Sequence, residues 1–335
     1  MFAFLHRKRG NIANVALMES TKLQTFSNVR RFSTFSVVAV SALSLIFSSW
    51  LGAESLNWQV VIAIIALAVG IPHGALDHLI TLPRTKPVKM AIFIAIYIFI
   101  AMVAIWAILQ WNVWGFIAVV IMSATHFGIG DSAYIAELNN LDGKKRSRLA
   151  TWSYALAAGC VPVVIPLINS RSTEALEKVN PALVNWHQGL DSEILIAIAL
   201  VSTVAVLILA RERQYRDLVD LISLISLVSF APPLVAFATY FGCWHAMRHT
   251  ARLTSLLPKS QAFYGQGRSF KAFQMAVIPG LPALVGTLIF VLVLAAFARE
   301  SISDKFLWLT LVTIWALTVP HMLVTSRLDR IALKK

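Results

Sequence analysis

Apolar residues in this chain come in blocks of about twenty, separated by short polar gaps. Ten such blocks are readable, roughly at 33–52, 57–80, 90–110, 112–136, 149–169, 194–210, 217–231, 233–253, 273–298 and 306–326. A helix of ~20 apolar residues crosses the ~30 Å of hydrocarbon in a bilayer. The pattern therefore predicts an all-α fold, a polytopic transmembrane helical bundle of about ten spans. No internal repeat and no low-complexity segment interrupts it.

The seventh and eighth blocks need an argument of their own. Asp217 to Leu253 is too long for one span, and Pro232-Pro233 breaks it. Proline lacks the backbone donor and disrupts a helix interior. Arg211, Arg213 and Arg216 precede the run, and Arg252, Lys259, Arg268 and Lys271 follow it. Both ends thus ask for the same, cytoplasmic side, which requires an even number of crossings. Two short helices meeting at the double proline satisfy that requirement.

Charge then sets the orientation. Only 13% of residues are charged, against about 25% in a soluble domain. The net charge of +13 is read as basic loops against anionic lipid, with no nucleic-acid partner. With both termini cytoplasmic, 24 Lys and Arg fall in cytoplasmic segments and four in outer loops. The expected organisation is a basic cytoplasmic tail at 1–32, one transmembrane catalytic domain at 33–326 and a basic cytoplasmic tail at 327–335, in a multi-pass protein of the cell inner (plasma) membrane. The first apolar run begins too far along the chain for a cleaved signal peptide, so it is read as an uncleaved span. Cys160 and Cys243 both fall in apolar blocks and read as small buried residues. The loop from Ser170 to Glu193 is the longest outer one. Trp186 suits a headgroup position there, and His187 beside it reads as a surface histidine.

Histidine is where candidate chemistry enters. The eighth block holds Trp244-His245-Ala246-Met247-Arg248-His249, two histidines four apart on one helix face, about 6 Å along the axis. The second holds Gly70-Ile71-Pro72-His73-Gly74-Ala75-Leu76-Asp77-His78, the fourth His126-Phe127-Gly128-Ile129-Gly130-Asp131, and the tenth Pro320-His321. At ~1.5 Å per residue, four helices present histidine at a common depth. Each alone is an ordinary interhelical hydrogen-bonding residue. Ionisable groups inside a bilayer are costly, so the four together predict a functional site. The flanking glycines let helices approach closely, and Pro72 can open its helix locally.

The donor set restricts the ion. With no thiolate at that depth, copper(I) and iron–sulfur chemistry are disfavoured, whereas imidazole suits iron, zinc, copper and nickel. Four imidazoles would close a tetrahedral zinc site, while on octahedral iron(II) they leave two positions open. His73, His126, His245 and His249 are the expected catalytic metal ligands. Asp77 and Asp131 are the anions available to orient them, with His78 and His321 as further supporting groups. Asp77 is expected on the face of His73. Asp131 is turned away from His126 and so serves a neighbouring helix. Arg248 is expected to snorkel to the interface or to pair with Asp77 or Asp131. The tryptophans are mostly interfacial belt or packing.

Pro72-His73-Gly74 with Asp77-His78, His126-Phe127-Gly128 with Asp131, and Trp244-His245 with Arg248-His249 together resemble the Brp/Blh family. These are the bacteriorhodopsin-related membrane β-carotene 15,15′-dioxygenases of bacteria and archaea. The resemblance covers roughly residues 57 to 326. It implies a non-haem Fe(2+) held by His73, His126, His245 and His249, with β-carotene and O2 as substrates. It further implies oxidative cleavage of the central 15,15′ double bond to two all-trans-retinal, and a functional link to a retinal-binding microbial rhodopsin. Pro320-His321 also resembles a family feature.

Two other classes compete. A membrane di-iron desaturase or hydroxylase needs about eight histidines in several boxes, and this chain has one HxxxH. An intramembrane transporter of metal ions or protons can run a His/Asp relay, but such folds carry internal repeats and paired broken helices. The absence of an HExxH motif argues against a metalloprotease.

Overall fold

The computed structural model describes residues 2–51, 56–81, 86–173, 176–177, 180–282, 284–286, 289 and 304–334. Among them every regular element is helical. The chain forms α1 (Phe2–Leu51), α2 (Leu56–Gly74), α3 (Asp77–Thr81), α4 (Pro87–Gln110), α5 (Asn112–Leu141) and α6 (Arg148–Ile168), followed by α7 (Asp191–Arg211), α8 (Tyr215–Phe230) and α9 (Pro233–Thr239). A π-helical turn, Tyr240–Ala246, then runs straight into α10 (Met247–Leu253), and α11 (Pro258–Tyr264), α12 (Ser269–Val277) and α13 (Asp304–Lys334) complete the chain. Among the described residues six helical stretches are long and apolar enough to cross a membrane: Asn14–Phe47, Pro87–Gln110, Asn112–Leu141, Arg148–Ile168, Asp191–Arg211 and Leu311–Lys334. Beyond position 282 the expected span at 273–298 falls largely outside the described residues.

Proline sets several of the breaks. Helix α8 stops at Phe230, and Pro233 opens α9 where its missing N–H costs nothing. This is the break the double proline predicts. Pro72 lies inside α2, which ends two residues later at Gly74. A short turn follows before α3 begins at Asp77, an acidic residue in a first helical turn. Asp77 is therefore not one continuous helical turn beyond His73, and it reaches the histidines through His321.

Helix α1 is 50 residues long, roughly 75 Å, more than twice the thickness of a hydrocarbon core. The basic stretch ahead of the first apolar block is thus helical as well. Part of it is packed into the bundle. Phe26 is fully buried and stacks on Tyr134 of α5 at 5.3 Å, and Tyr134 donates its hydroxyl to the Phe26 carbonyl at 2.5 Å. Helix α5 crosses α6 backbone to backbone. A side chain at Gly128 would collide with the Ala155 carbonyl, and one at Gly159 with the Ala124 carbonyl. That close crossing fixes the height and rotation of α5, and so of His126.

The outer loop carries two short 3-10 turns, Ser170–Ser172 and Pro181–Leu183. Trp186 is buried within the bundle. Its indole sits edge-on to Phe116 and its Nε1 donates to the Leu167 carbonyl at 3.3 Å. An indole is satisfied there by an aromatic neighbour and an acceptor within reach.

Candidate metal centre

Five imidazoles meet inside the bundle, delivered by α2, α5, the π-helical turn, α10 and α13. His73 is 5.7 Å from His245, 5.4 Å from His249 and 5.3 Å from His321, measured between ring centres. His126 lies 5.1 Å from His245 and 5.4 Å from His321. His249 is 5.5 Å from His321 and 6.3 Å from His245, with the last two rings nearly parallel at 14°. All five are at most 6% exposed. The HxxxH spacing holds even though His245 closes a π-helical turn, because α-helix resumes at Met247.

Their nitrogens are short of partners. His126 Nε2, both ring nitrogens of His245, His249 Nε2 and His321 Nε2 are buried without a hydrogen bond. Buried polar atoms are ordinarily satisfied, so several orphans facing one another call for a shared partner. His73 donates Nδ1–H to the Gly70 carbonyl, which leaves its Nε2 with the lone pair. An ion roughly 2 Å from a ring nitrogen lies about 3 Å from that ring's centre, so rings sharing one ion are roughly 4.5–6.5 Å apart. The observed spacings fall in that range, and the all-imidazole donor set suits a borderline transition metal. Among the described residues no group of three or more His, Cys, Asp or Glu side chains is arranged so that it could hold a metal ion as the side chains stand. The rings are gathered without forming a closed coordination sphere.

The carboxylates stand one layer out. Asp77 faces His321, whose Nδ1 lies 2.9 and 3.0 Å from its two oxygens, and it accepts the Tyr97 hydroxyl at 3.1 Å. Asp131 accepts from Trp244 Nε1 at 2.7 Å and from the Tyr240 hydroxyl at 3.3 Å, and it stands 3.9 Å from His245 Nδ1. As its rotation on α5 requires, it serves the neighbouring helix. Gly130 makes room for this, since a side chain there would lie 3.3 Å from the His245 ring. His78, half-buried on α3, makes none of the ring contacts of the cluster among the described residues. His187, expected at the surface, is mostly enclosed: its side chain is 16% exposed, it lies 3.8 Å from Asp191, and it packs edge-on against the buried Trp186 at 5.9 Å.

Arg248 neither snorkels nor pairs with Asp77 or Asp131. It is 1% exposed, donates to Asp220 of α8 at 2.9 Å and to Ser33 of α1 at 3.1 Å, and lies flat over Trp244 at 3.5 Å. Asp220 also takes Arg30 at 2.9 Å, and Arg30 reaches Asp217 at 2.6 Å, which Arg146 approaches at 3.2 Å. Sequence reasoning missed this network. Asp217 and Asp220 were visible as acids three apart at the start of an apolar run, which was the available signal.

Phe127, Phe237 and Phe241 form an aromatic wall beside the cluster. Phe127 lies 4.3 Å from His245 and 6.1 Å from Phe241, Phe241 lies 5.5 Å from His73, and Phe237 stacks on Phe241 at 6.4 Å. A cavity of about 830 Å³ lies elsewhere. It opens between α5, α6 and α7, lined on α5 by Ile117, Ile121, Ala124, Thr125 and Ile129, the side of that helix away from His126.

Comparison with known proteins adds the following. The family model described as Beta-carotene 15,15'-dioxygenase matches residues 64–329, which include all five clustered histidines. A curated relative, the Beta-carotene 15,15'-dioxygenase of Uncultured marine bacterium 66A03, is 27% identical over 190 residues, covering 54% of this chain and 64% of the relative. The chain thus spans a little under two thirds of the length of that relative. No solved structure matches.

Proposed function

From the premise that this chain belongs to the beta-carotene 15,15'-dioxygenase family, we propose that it is a membrane enzyme cleaving β-carotene oxidatively at the central 15,15′ double bond. One O2 is consumed, the carbon–carbon double bond is replaced by two carbon–oxygen double bonds, and two molecules of all-trans-retinal leave. The retinal then serves a microbial rhodopsin. The observation that carries this reading is the set of partnerless imidazole nitrogens enclosed by apolar helices.

His73, His126, His245 and His249 are the residues that would hold Fe(2+). When bound, the iron supplies the redox chemistry that activates dioxygen. What the chain itself contributes is placement and exclusion. The imidazoles stand inside a bundle whose helices present Phe99, Trp106 and Ile121 outward, so a hydrocarbon substrate can approach from lipid. β-carotene offers no polar handle, and shape must fix which bond meets the centre. The wall of Phe127, Phe237 and Phe241 offers a polyene a flat apolar surface and keeps water from His73 and His245. Asp131 holds Trp244, and through it the turn that carries His245. No proton-transfer residue is required by the net reaction.

The remaining organisation belongs to the same proposal. A single catalytic bundle at 33–326, of about ten spans, lies in the plasma membrane, with the basic ends 1–32 and 327–335 on the cytoplasmic side.

Expression in bacteria that accumulate β-carotene tests the reading. Loss of the orange colour with retinal in the extract is expected. Persistent colour and no retinal, from folded and iron-loaded protein, would overturn the assignment of β-carotene as substrate and reopen the transporter reading.

A further inference from the structure

His321 is the histidine whose place in the fold says most beyond the family assignment. Its ring is 5.3 Å from His73, 5.4 Å from His126 and 5.5 Å from His249. Those separations match the 5.1–5.7 Å between His73 or His126 and their partners on the π-helical turn and α10. It is not set behind another ring. A residue that merely supported a ligand would contact one imidazole from outside, and His321 faces three.

Its two nitrogens are unequal. Nδ1 lies 2.9 and 3.0 Å from the two Asp77 oxygens. A carboxylate only accepts, so Nδ1 carries the proton and Nε2 carries the lone pair. That Nε2 is buried and has no partner. Asp77 is itself held by the Tyr97 hydroxyl at 3.1 Å, and the same hydroxyl lies 3.3 Å from the Leu317 carbonyl on the helix of His321. Helices α3, α4 and α13 are thereby tied together around one imidazole. A carboxylate behind a histidine, fixing its tautomer and ring direction, is the usual support of a metal-ligating histidine. The structure contains that arrangement at His321.

We propose that His321 is a fifth imidazole ligand of the iron centre, presented through Nε2 and oriented by Asp77 as a positioning residue. The proposal rests on the reading of the cluster as a metal site. It makes the centre richer in histidine than four ligands and leaves fewer positions for exogenous groups. The Asp77 carboxylate also brings a negative charge next to a centre whose other donors are neutral.

The test uses the purified full chain in detergent. Anaerobic titration with Fe(2+) alone measures affinity, and Co(2+) loading gives a visible absorption band whose position and intensity follow coordination number. Asp77→Asn is expected to weaken Fe(2+) binding roughly 10–100-fold. His321→Ala should weaken it more than Asp77→Asn does and change the Co(2+) band, because a donor atom is lost. His321→Asn, which keeps an amide near Asp77, guards against loss of fold and should show the same altered band. Wild-type affinity and an unchanged Co(2+) band in both His321 variants, with binding abolished in His73→Ala, would overturn the fifth ligand and leave the metal site standing. No binding of either metal by the folded wild-type chain would overturn both.

Discussion

A guanidinium buried among apolar helices must have its charge matched and its polar edge occupied. Arg248 does this with three groups from three helices: Asp220 on α8, Ser33 on α1 and the face of Trp244 on its own segment. A lysine ammonium cannot reproduce a flat stack and two directed donors together. Arg248→Met leaves Asp220 with Arg30 as its one remaining cation partner and is expected to cost roughly 3–5 kcal/mol, with Arg248→Lys between it and wild type. Thermal unfolding in detergent checks this, and an unshifted midpoint in the Met variant would contradict it. This residue also marks the limit of what the sequence reveals. Depth along a helix can be counted from its ends, and counting placed His73, His126, His245, His249 and His321 at one level. Which faces of two helices meet cannot be counted. Asp220 is therefore not matched to Arg248 by the sequence, and His321 is expected there only as a supporting group although its ring faces three others.

At the scale of elements, α1 is the unexpected contributor. It lies outside the 64–329 family match, yet its Arg30, Ser33 and Thr34 all bond within the network around Asp217 and Asp220. The network joins three cations, Arg30, Arg146 and Arg248, to two carboxylates, Asp217 and Asp220. It holds the segment bearing Trp244, His245 and Arg248 against α1 and α8. Arg30→Met alone should destabilise strongly, because two carboxylates lose a partner. Adding Asp217→Asn should recover part of that loss, so the double variant is expected to cost less than the two single changes summed. Strict additivity in unfolding measurements would show that the two are uncoupled. The helical nature of the described blocks, and the break before Pro233, were legible because hydropathy and proline act locally. The continuation of α1 through its basic stretch was not, since its burial depends on Tyr134 and Asp220, more than a hundred residues away.

For the whole molecule, the cavity of about 830 Å³ and the histidine cluster occupy opposite sides of α5. Filling the first should leave the second intact. Ala197→Trp, on the α7 wall of the cavity, is expected to retain iron at the wild-type level, measured as metal per chain after purification. Loss of iron would mean that the two regions move together. The outward apolar residues of α4, among them Phe99, Met102 and Trp106, are exposed along its length, as a lipid-facing helix requires.

The turn Tyr240–Ala246 is wound as π-helix between two α-helical stretches. A π-helical turn is an α-helix that has accommodated one surplus residue. A helix advances about 100° per residue. An in-frame loss of the single codon for Cys243 would let the segment relax to α-helix, and everything after it would swing by about that angle relative to α9. Either Phe241 or the pair His245 and His249 would then leave the cluster. Deleting Cys243 is expected to abolish iron retention, while deleting Gly189, which sits at φ +81 in a loop, should not. On this view the centre depends on the exact count of residues in one helix as much as on which residues they are.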